Sequence, residues 1–453
     1  MMRTNVAVTM LIFAAASAVA ETTAFVNVNV LPMTSETVLQ ERTVIVTGNR
    51  ISAIGNVIDT PVPDGAQVID GTDRFLMPGL AEMHGHVPDA PSDNLDRVLA
   101  LYVANGITTV RGMLGQPAHL ELREAIDRGE VLGPRLYTSG PSFNGRSVDG
   151  VENAVRMVRE QHAAGYDFLK IHPGLSRAEF DAIAESASAL GIPFAGHVPE
   201  DVGVHAAIDA GIATIDHLDG YMQALVPPNV DPSGGFGGFF GVLLAGVADA
   251  TRIDTIAQLT ADAGVWVVPT ESLFEHALSE VDADAMVTWP EMQYMPAETV
   301  LQWKESKENL RRDVVRNPDL VTEAIRLRQK LIVALHAAGA GLLLGADSPQ
   351  IFNVPGFAIH RELKYLVEAG LTPFQALQCG TAKPAEFFGA TAHFGTVREG
   401  READLLLLDA NPLEEIDNTR RIHGVMLRGR WLNRQELVRL LGGYRREGLL
   451  SGR

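Results

Sequence analysis

The residues best suited to chemistry in this sequence share one kind of position, the polar end of a short apolar run. His84 and His86 close Ala81-Glu82-Met83-His84-Gly85-His86, and Lys170 ends Asp167-Phe168-Leu169-Lys170. His197 ends Phe194-Ala195-Gly196-His197, His217 ends Thr214-Ile215-Asp216-His217, and Asp347 ends Leu342-Leu343-Leu344-Gly345-Ala346-Asp347. Alternate residues of a strand share a face, so the imidazoles of His84 and His86 point the same way, and Gly85 is expected to leave room for an ion. Singly, each histidine reads as a buried or hydrogen-bonded imidazole, and Lys170 as a stem packed along apolar wall with its ammonium in water. Together, nitrogen and oxygen donors without sulfur make the donor set of a divalent-cation site, with zinc favoured and manganese, cobalt and nickel as alternatives. Beside two cations an ammonium at Lys170 is disfavoured, whereas the neutral amine can add carbon dioxide and offer one carbamate oxygen to each ion. Asp347, following an apolar run, needs a partner, and coordination supplies one while leaving a lone pair for a substrate proton. A water shared by two such cations falls in pKa from about 15.7 toward about 7, which is the chemistry of hydrolysis at neutral pH.

These residues are far apart in the chain, so the elements carrying them must converge. Across residues 78–390 one phrase repeats: an amphipathic helix, a glycine, then a short apolar strand ending in a polar residue. Residues 176–190, Gly191 and 192–197 show it, as do 201–210, Gly211 and 212–217; it recurs at 251–263, Gly264 and 265–270, and at 322–338, Gly339 and 341–347. Glycine after the last helical turn is the left-handed cap. Strands of this type fall near Leu80, Ile107, Arg135, Asp167, Pro193, Thr214, Val265 and Gly341. Such repeated β-then-α units predict an α/β fold, a (β/α)8 TIM barrel whose C-terminal strand ends share one face; a doubly wound open sheet is the alternative. Two long connections, 219–250 and 271–320, follow strands and are expected to overhang that face as lids. Residues 21–77 and 391–453 instead read as short strands (25–30, 43–46, 51–54, 395–397, 403–408, 424–432), predicted to pair into a small β-sandwich domain built from both chain ends, with a C-terminal helix.

The bulk numbers narrow the function classes. The chain has 453 residues, with 37 Lys and Arg against 56 Asp and Glu, for a formal charge of −19. Nucleic acid would be repelled by that balance. Residues 1–20 combine Arg3, an apolar stretch over 6–19 and Ala18-Val19-Ala20, the layout of a cleaved signal peptide, and predict export to the periplasm or medium. No later apolar run approaches the length of a membrane span. The single cysteine, Cys379, falls in a helical pattern over 373–379 and is expected to be a small buried residue. A homo-oligomer is compatible with this composition.

On the ordered set His84-x-His86, Lys170, His197, His217 and Asp347 the chain resembles the amidohydrolase superfamily. Met77-Pro78-Gly79-Leu80, Gly106-Ile107-Thr108-Thr109-Val110-Arg111 and Gly400-Arg401-Glu402-Ala403-Asp404-Leu405 add to that resemblance, which is strongest for the imidazolonepropionase-related and prolidase-like dipeptidase subgroup. It implies a binuclear site in which His84, His86 and Asp347 hold an inner metal and His197 and His217 an outer one, bridged by carbamylated Lys170 and a hydroxide. It implies a metal-dependent hydrolase of amide bonds, with Asp347 as base and acid and a dipeptide or N-acyl amino acid as substrate. The substrate carboxylate would need cationic or hydroxyl partners, for which His172, Tyr221 and Arg111 are the candidates. Gly112 stands where many relatives carry an aspartate, so their selectivity does not transfer. The competing expectations are a hydrolase of cyclic amides, lactones or other small amides at the same site, and a metal-free periplasmic binding or scaffold relative.

Overall fold

The computed structural model describes residues 21–230, 237–314 and 317–446, and the expected signal segment lies outside them. Five strands open the described chain: β1 (Thr22–Val30), β2 (Leu39–Thr47), β3 (Arg50–Asn56), β4 (Gln67–Asp70) and β5 (Phe75–Pro78). Seven follow in alternation with helices: β6 (Leu80–Gly85), β7 (Ile107–Gly112), β8 (Arg135–Thr138), β9 (Leu169–Ile171), β10 (Phe194–Gly196), β11 (Thr214–Asp216) and β12 (Trp266–Val268). The last three are β13 (Leu405–Leu408), β14 (Ile422–Leu427) and β15 (Arg430–Asn433).

Strands from both chain ends share one eight-stranded mixed sheet, ordered β15-β14-β13-β5-β1-β2-β3 with β4 beside β1. The join is β13, antiparallel to β5 with Leu405 opposite Pro78 and Leu408 opposite Phe75. Its four leucines are buried on alternate faces: Leu405 and Leu407 pack with Phe25, Val44 and Met426, while Leu406 and Leu408 join the main core. A strand covered on both sides requires such an unbroken apolar run. The stretch expected as one strand over 424–432 is a hairpin, turning at Arg428 and Gly429 with φ of 49° and 83°. Residues 395–397 form no strand; Gly395 has φ 89° and the Val397 N–H donates to Pro32.

The strands between these ends form two parallel sheets, β6-β7-β8 and β12-β11-β10-β9. Parallel bridges continue the pairing from Ser139 to Phe168, from Val267 to Leu342 and from Gly85 to Ser348. Segment 341–347, expected as a strand, makes only the isolated bridge at Leu342, because its N–H groups are divided among partners. Leu343 donates to Val267 O, Leu344 to Cys379 O and Ala346 to a Glu82 carboxylate oxygen. The helices follow their end signals closely. Arg177–Leu190 starts from a reciprocal capping box between Ser176 and Glu179 and stops at Gly191 with φ 72°. Pro318–Ala338 starts at Asn317 and stops at Gly339 with φ 88°. Glycine carries these caps because left-handed backbone costs it nothing. Cys379 ends the short helix Pro373–Cys379, and burial pushes its thiol up to about 12, so it packs rather than reacts.

Both long connections carry helical turns among their described residues. Within 271–320 lie the helices Glu271–Leu278, Ala283–Val287 and Ala297–Asn309, and Met292 and Trp303 from this region pack against Phe352. The connection after β11 carries the helix Tyr221–Leu225 and a 3-10 turn, Phe239–Leu244. No helix among the described residues is long and apolar enough to cross a membrane.

Candidate metal centre

Parallel strands deliver their C-terminal ends to one place, and the candidate residues meet there. From β6, His84 and His86 approach Asp347: His86 Nε2 lies 3.0 Å and His84 Nε2 3.8 Å from Asp347 Oδ1. Lys170 Nζ, from β9, lies 3.4 Å from His84 Nε2. His217, one residue beyond β11, places Nδ1 3.8 Å from Asp347 Oδ2, and its ring centre lies 4.5 Å from that of His84 and 4.6 Å from that of His197. The ends of these strands are bent to achieve this: His217, Thr270 and Asp347 have φ of 65°, 52° and 55°. Left-handed backbone at non-glycine residues is costly and concentrates at functional sites.

Two glycines permit the approach. At Gly196, with φ 127°, a Cβ would lie 2.5 Å from Ile171 O and 3.1 Å from Lys170 Nζ. At Gly345 it would lie 2.8 Å from the backbone nitrogen of His84. Gly85 has a different role from the one expected. A Cβ there would meet Tyr102, Glu82 and Val110, so the glycine relieves strand–helix packing and leaves no room for an ion.

Surrounding groups fix the ring orientations. Asp216 Oδ2 lies 2.8 Å from His84 Nδ1, Asp219 Oδ2 3.1 Å from His197 Nδ1, and Thr270 Oγ1 2.8 Å from His217 Nδ1. The hydrogen bonds to Asp219 and Thr270 leave Nε2 of His197 and His217 free. The Asp216 contact with His84 Nδ1, though not aligned as a hydrogen bond, leaves Nε2 of His84 facing Asp347. This is the usual arrangement behind a metal-binding imidazole. Glu82 accepts hydrogen bonds from the backbone N–H groups of His84 and Ala346, tying the first ligand strand to the segment that bears Asp347. The sequence reading passed over Glu82, Asp216, Asp219 and Thr270. Their signal was position: Glu82 stands two residues before His84 on the same face, and Asp216 and Asp219 flank His217.

Burial pushes the Lys170 ammonium down to about 8, with Asp216 and Asp347 pulling the other way. Burial would raise the Asp347 carboxyl, but the nearby imidazoles and Lys170 outweigh it and hold the group below the usual carboxylate range. Burial, joined by Lys170, depresses His84; burial and the neighbouring imidazoles depress His217. Unprotonated imidazoles, an ionised carboxylate and a lysine partly neutral near pH 8 are the forms that bind cations.

The donors fit an ion better than they fit each other. His86 Nε2 and Asp347 Oδ1 are buried and close, yet lack the alignment of a hydrogen bond, and His217 Nε2 is buried without a partner. One donor atom each from His84, His86 and Asp347 lies within 4.8 Å of the others. Ligands around one zinc stand roughly 3.3 Å apart, given metal–nitrogen distances of about 2.0–2.1 Å.

The three substrate-contact candidates divide. His172 stays at the centre, its ring 5.1 Å from that of His197, with Nδ1 buried and unpartnered; burial and then Lys170 push it down to about 2. Arg111 is fully buried and donates to Met83 O, Thr214 Oγ1 and both oxygens of Asp216. Tyr221 is also turned into the core, its hydroxyl 3.0 Å from Thr260 Oγ1. Both side chains thus have their donors satisfied by protein groups, as a long polar side chain beside a site can do behind the ligands as readily as in front of them.

A sequence model of the amidohydrolase family matches residues 75–432. Ochratoxinase from Aspergillus niger is 24% identical, the match covering 83% of this chain and 79% of that one. Among solved structures, a Xaa-Pro dipeptidase with bound methionine in the active site superposes with a TM-score of 0.65 at 19% identity, covering 91% of this chain and all of that one. Bottromycin amidohydrolase superposes with a TM-score of 0.69 at 23% identity, covering 93% and 90%.

Proposed function

The chain belongs to the amidohydrolase family and is a hydrolase of amide or peptide carbon–nitrogen bonds, and we propose that it acts on a dipeptide or an N-acyl amino acid through two divalent cations, zinc favoured. The observation that carries this reading is the convergence of His84, His86 and Asp347, one donor atom of each lying within 4.8 Å of the others. His84, His86 and Asp347 would hold one ion and His197 and His217 the other. Lys170, as the carbamate formed when its neutral amine adds carbon dioxide and loses a proton, would face both. When bound, the ions polarise the scissile carbonyl and acidify the attacking water.

The chain's own groups supply the rest. Asp347 Oδ1 faces the imidazoles of His84 and His86, which leaves Oδ2 to take the nucleophile's proton and return it to the departing amine. The lowered pKa of that carboxyl keeps it ionised, the form that can accept a proton. His172, a neutral imidazole with a buried free nitrogen, is the side chain offered to a polar group of the substrate. The dipeptide reading gains support from the fold shared with a Xaa-Pro dipeptidase. In the same reading the two parallel sheets and segment 341–348 close into a (β/α)8 barrel over 78–390, the mixed sheet forms a second domain from 21–77 and 391–453, and the protein is exported after loss of residues 1–20.

The test is metal-reconstituted protein assayed against a panel of dipeptides and N-acyl amino acids, reading release of free amino acid. Turnover confined to cyclic amides or lactones would transfer the assignment to that substrate class. A chelator should abolish activity, and Lys170→Ala should lose both turnover and bound metal; near-normal activity in that variant would refute the bridging role.

A further inference from the structure

Arg328 lies on the helix Pro318–Ala338, far in sequence from every candidate ligand, and is fully buried. Its guanidinium donates from Nη1 to His217 O at 2.8 Å and from Nη2 to Pro269 O at 3.0 Å. Nε and Nη2 also donate to Glu271 Oε1, at 2.9 and 2.6 Å. The cation stands over the ring of Phe274, 4.3 Å from its centre. One side chain thus grips two strand ends, after β11 and after β12. Both ends have left-handed backbone, at His217 and Leu218 on one and at Thr270 on the other, as does Asp347 elsewhere in the cluster. Thr270 is in turn the residue whose hydroxyl contacts His217 Nδ1.

A buried ion pair alone is weak evidence for anything but a satisfied core charge. Here, however, only part of the donor set is spent on the carboxylate, and the remainder goes to the carbonyl of a candidate ligand and to the carbonyl preceding the residue that orients it. Glu271 is itself fixed, since Glu362 accepts from the backbone N–H groups of Glu271 and Ser272 at the start of the helix Glu271–Leu278. We propose that Arg328 is a positioning residue for the metal ligand His217, clamping its strained backbone and, through Pro269 and Thr270, the tautomer that leaves Nε2 free for the ion. The proposal rests on the reading of His217 as a ligand. Lysine cannot replace arginine in this role, because a single ammonium cannot span two carbonyls and a carboxylate with fixed geometry.

The experiment compares wild type, Arg328→Lys and His217→Ala as metal-free full-length proteins. Zinc affinity and stoichiometry are measured by chelator competition, and the His217 tautomer by nitrogen-15 spectra of histidine-labelled protein. Arg328→Lys should bind the weaker ion at least tenfold less tightly, the scale on which groups behind a ligand act. It should also show His217 as a mixture of tautomers where wild type shows only Nδ1–H. Affinity within threefold of wild type, with the tautomer unchanged, would reduce Arg328 to a core ion pair and overturn the proposal, whatever happens to the melting temperature. If Arg328→Lys does not fold, Glu271→Gln replaces it: the guanidinium stays but loses its orienting carboxylate, and affinity should fall at least threefold, an unchanged value again overturning the proposal. Should His217→Ala retain full stoichiometry and affinity, the ligand reading itself fails, a result distinct from failure of the clamp.

Discussion

Asp216 holds two groups at once, the ring of His84 at 2.8 Å and the guanidinium of Arg111 at 3.2 Å, with all three buried. Replacing it by asparagine strands the arginine charge, a loss of about 3–5 kcal/mol. It also loosens the imidazole, for which a ten- to hundredfold loss in metal affinity is the usual scale. Asp216→Asn should therefore be both less stable in denaturant titration of the metal-free protein and weaker in chelator competition; wild-type affinity would show that His84 is oriented by something else. At this scale the sequence was informative in one direction. Donors ending apolar runs were legible because a polar residue there has few reasons to exist. Asp216 and Glu82 stood inside the same runs, but nothing in the order of residues separates a carboxylate that orients a ligand from one that caps a turn. The burial of Arg111 and Tyr221 was illegible for the complementary reason, since composition says that a donor is near the site and not which way it turns.

Between residues and fold, single glycines and caps set where each donor arrives. Gly196→Ala adds a Cβ at 2.5 Å from Ile171 O in a backbone with φ 127°, a strain of about 1–3 kcal/mol, and it presses on Lys170. The variant should melt lower and retain less metal. Ser176→Ala serves as the contrast: it removes one half of the capping box on Arg177–Leu190, costs about 1 kcal/mol and should leave metal content unchanged. Loss of metal in both variants would mean that bound metal follows global stability and not the position of Lys170. Helices were the most legible elements because their ends carry chemical signals at fixed offsets. Segment 341–348 was less so, since its partners are a strand, a helix end and a carboxylate, none of which leaves a period in the sequence. Of the helices within 271–320, Glu271–Leu278 and Ala283–Val287 are short, and Ala297–Asn309 is mostly polar, its buried stripe of Val300, Trp303 and Lys307 holding only two apolar residues.

For the molecule as a whole, buried imidazoles set the acid limit. Burial, assisted by Arg420, pushes His360 from the usual histidine value down to about 3, and burial drives His276 well below that usual value. The unfolded chain takes up protons at such sites below about pH 6.5 while the native state does not. Their contribution is thus present above that value and lost as the pH falls toward the folded pKa, by about 1.4 kcal/mol per pH unit for each group. The buried acids Glu275 and Glu362, raised to about 8 chiefly by burial, act oppositely: their contribution is present at low pH and lost as the pH rises through 8. A comparison isolates one histidine from this sum. The difference in unfolding free energy between metal-free wild type and His360→Gln should change with a slope of about one proton between pH 6.5 and 3 and be flat above pH 7.5; a difference independent of pH would show that His360 takes up its proton as readily in the native state as in the unfolded chain.

Only Gly79 separates β5, a member of the terminal sheet, from β6, which carries His84 and runs directly into His86. A Cβ at that glycine would collide with Thr108, and its N–H is spent on Asp404 O. There is no slack in such a splice. Adding one residue would rotate the odd and even positions of β6 past each other and aim both imidazoles away from Asp347, whereas adding two would restore their aim. The terminal sheet therefore sets the phase of the first ligand strand, and any chimera that exchanges it must preserve parity across the seam.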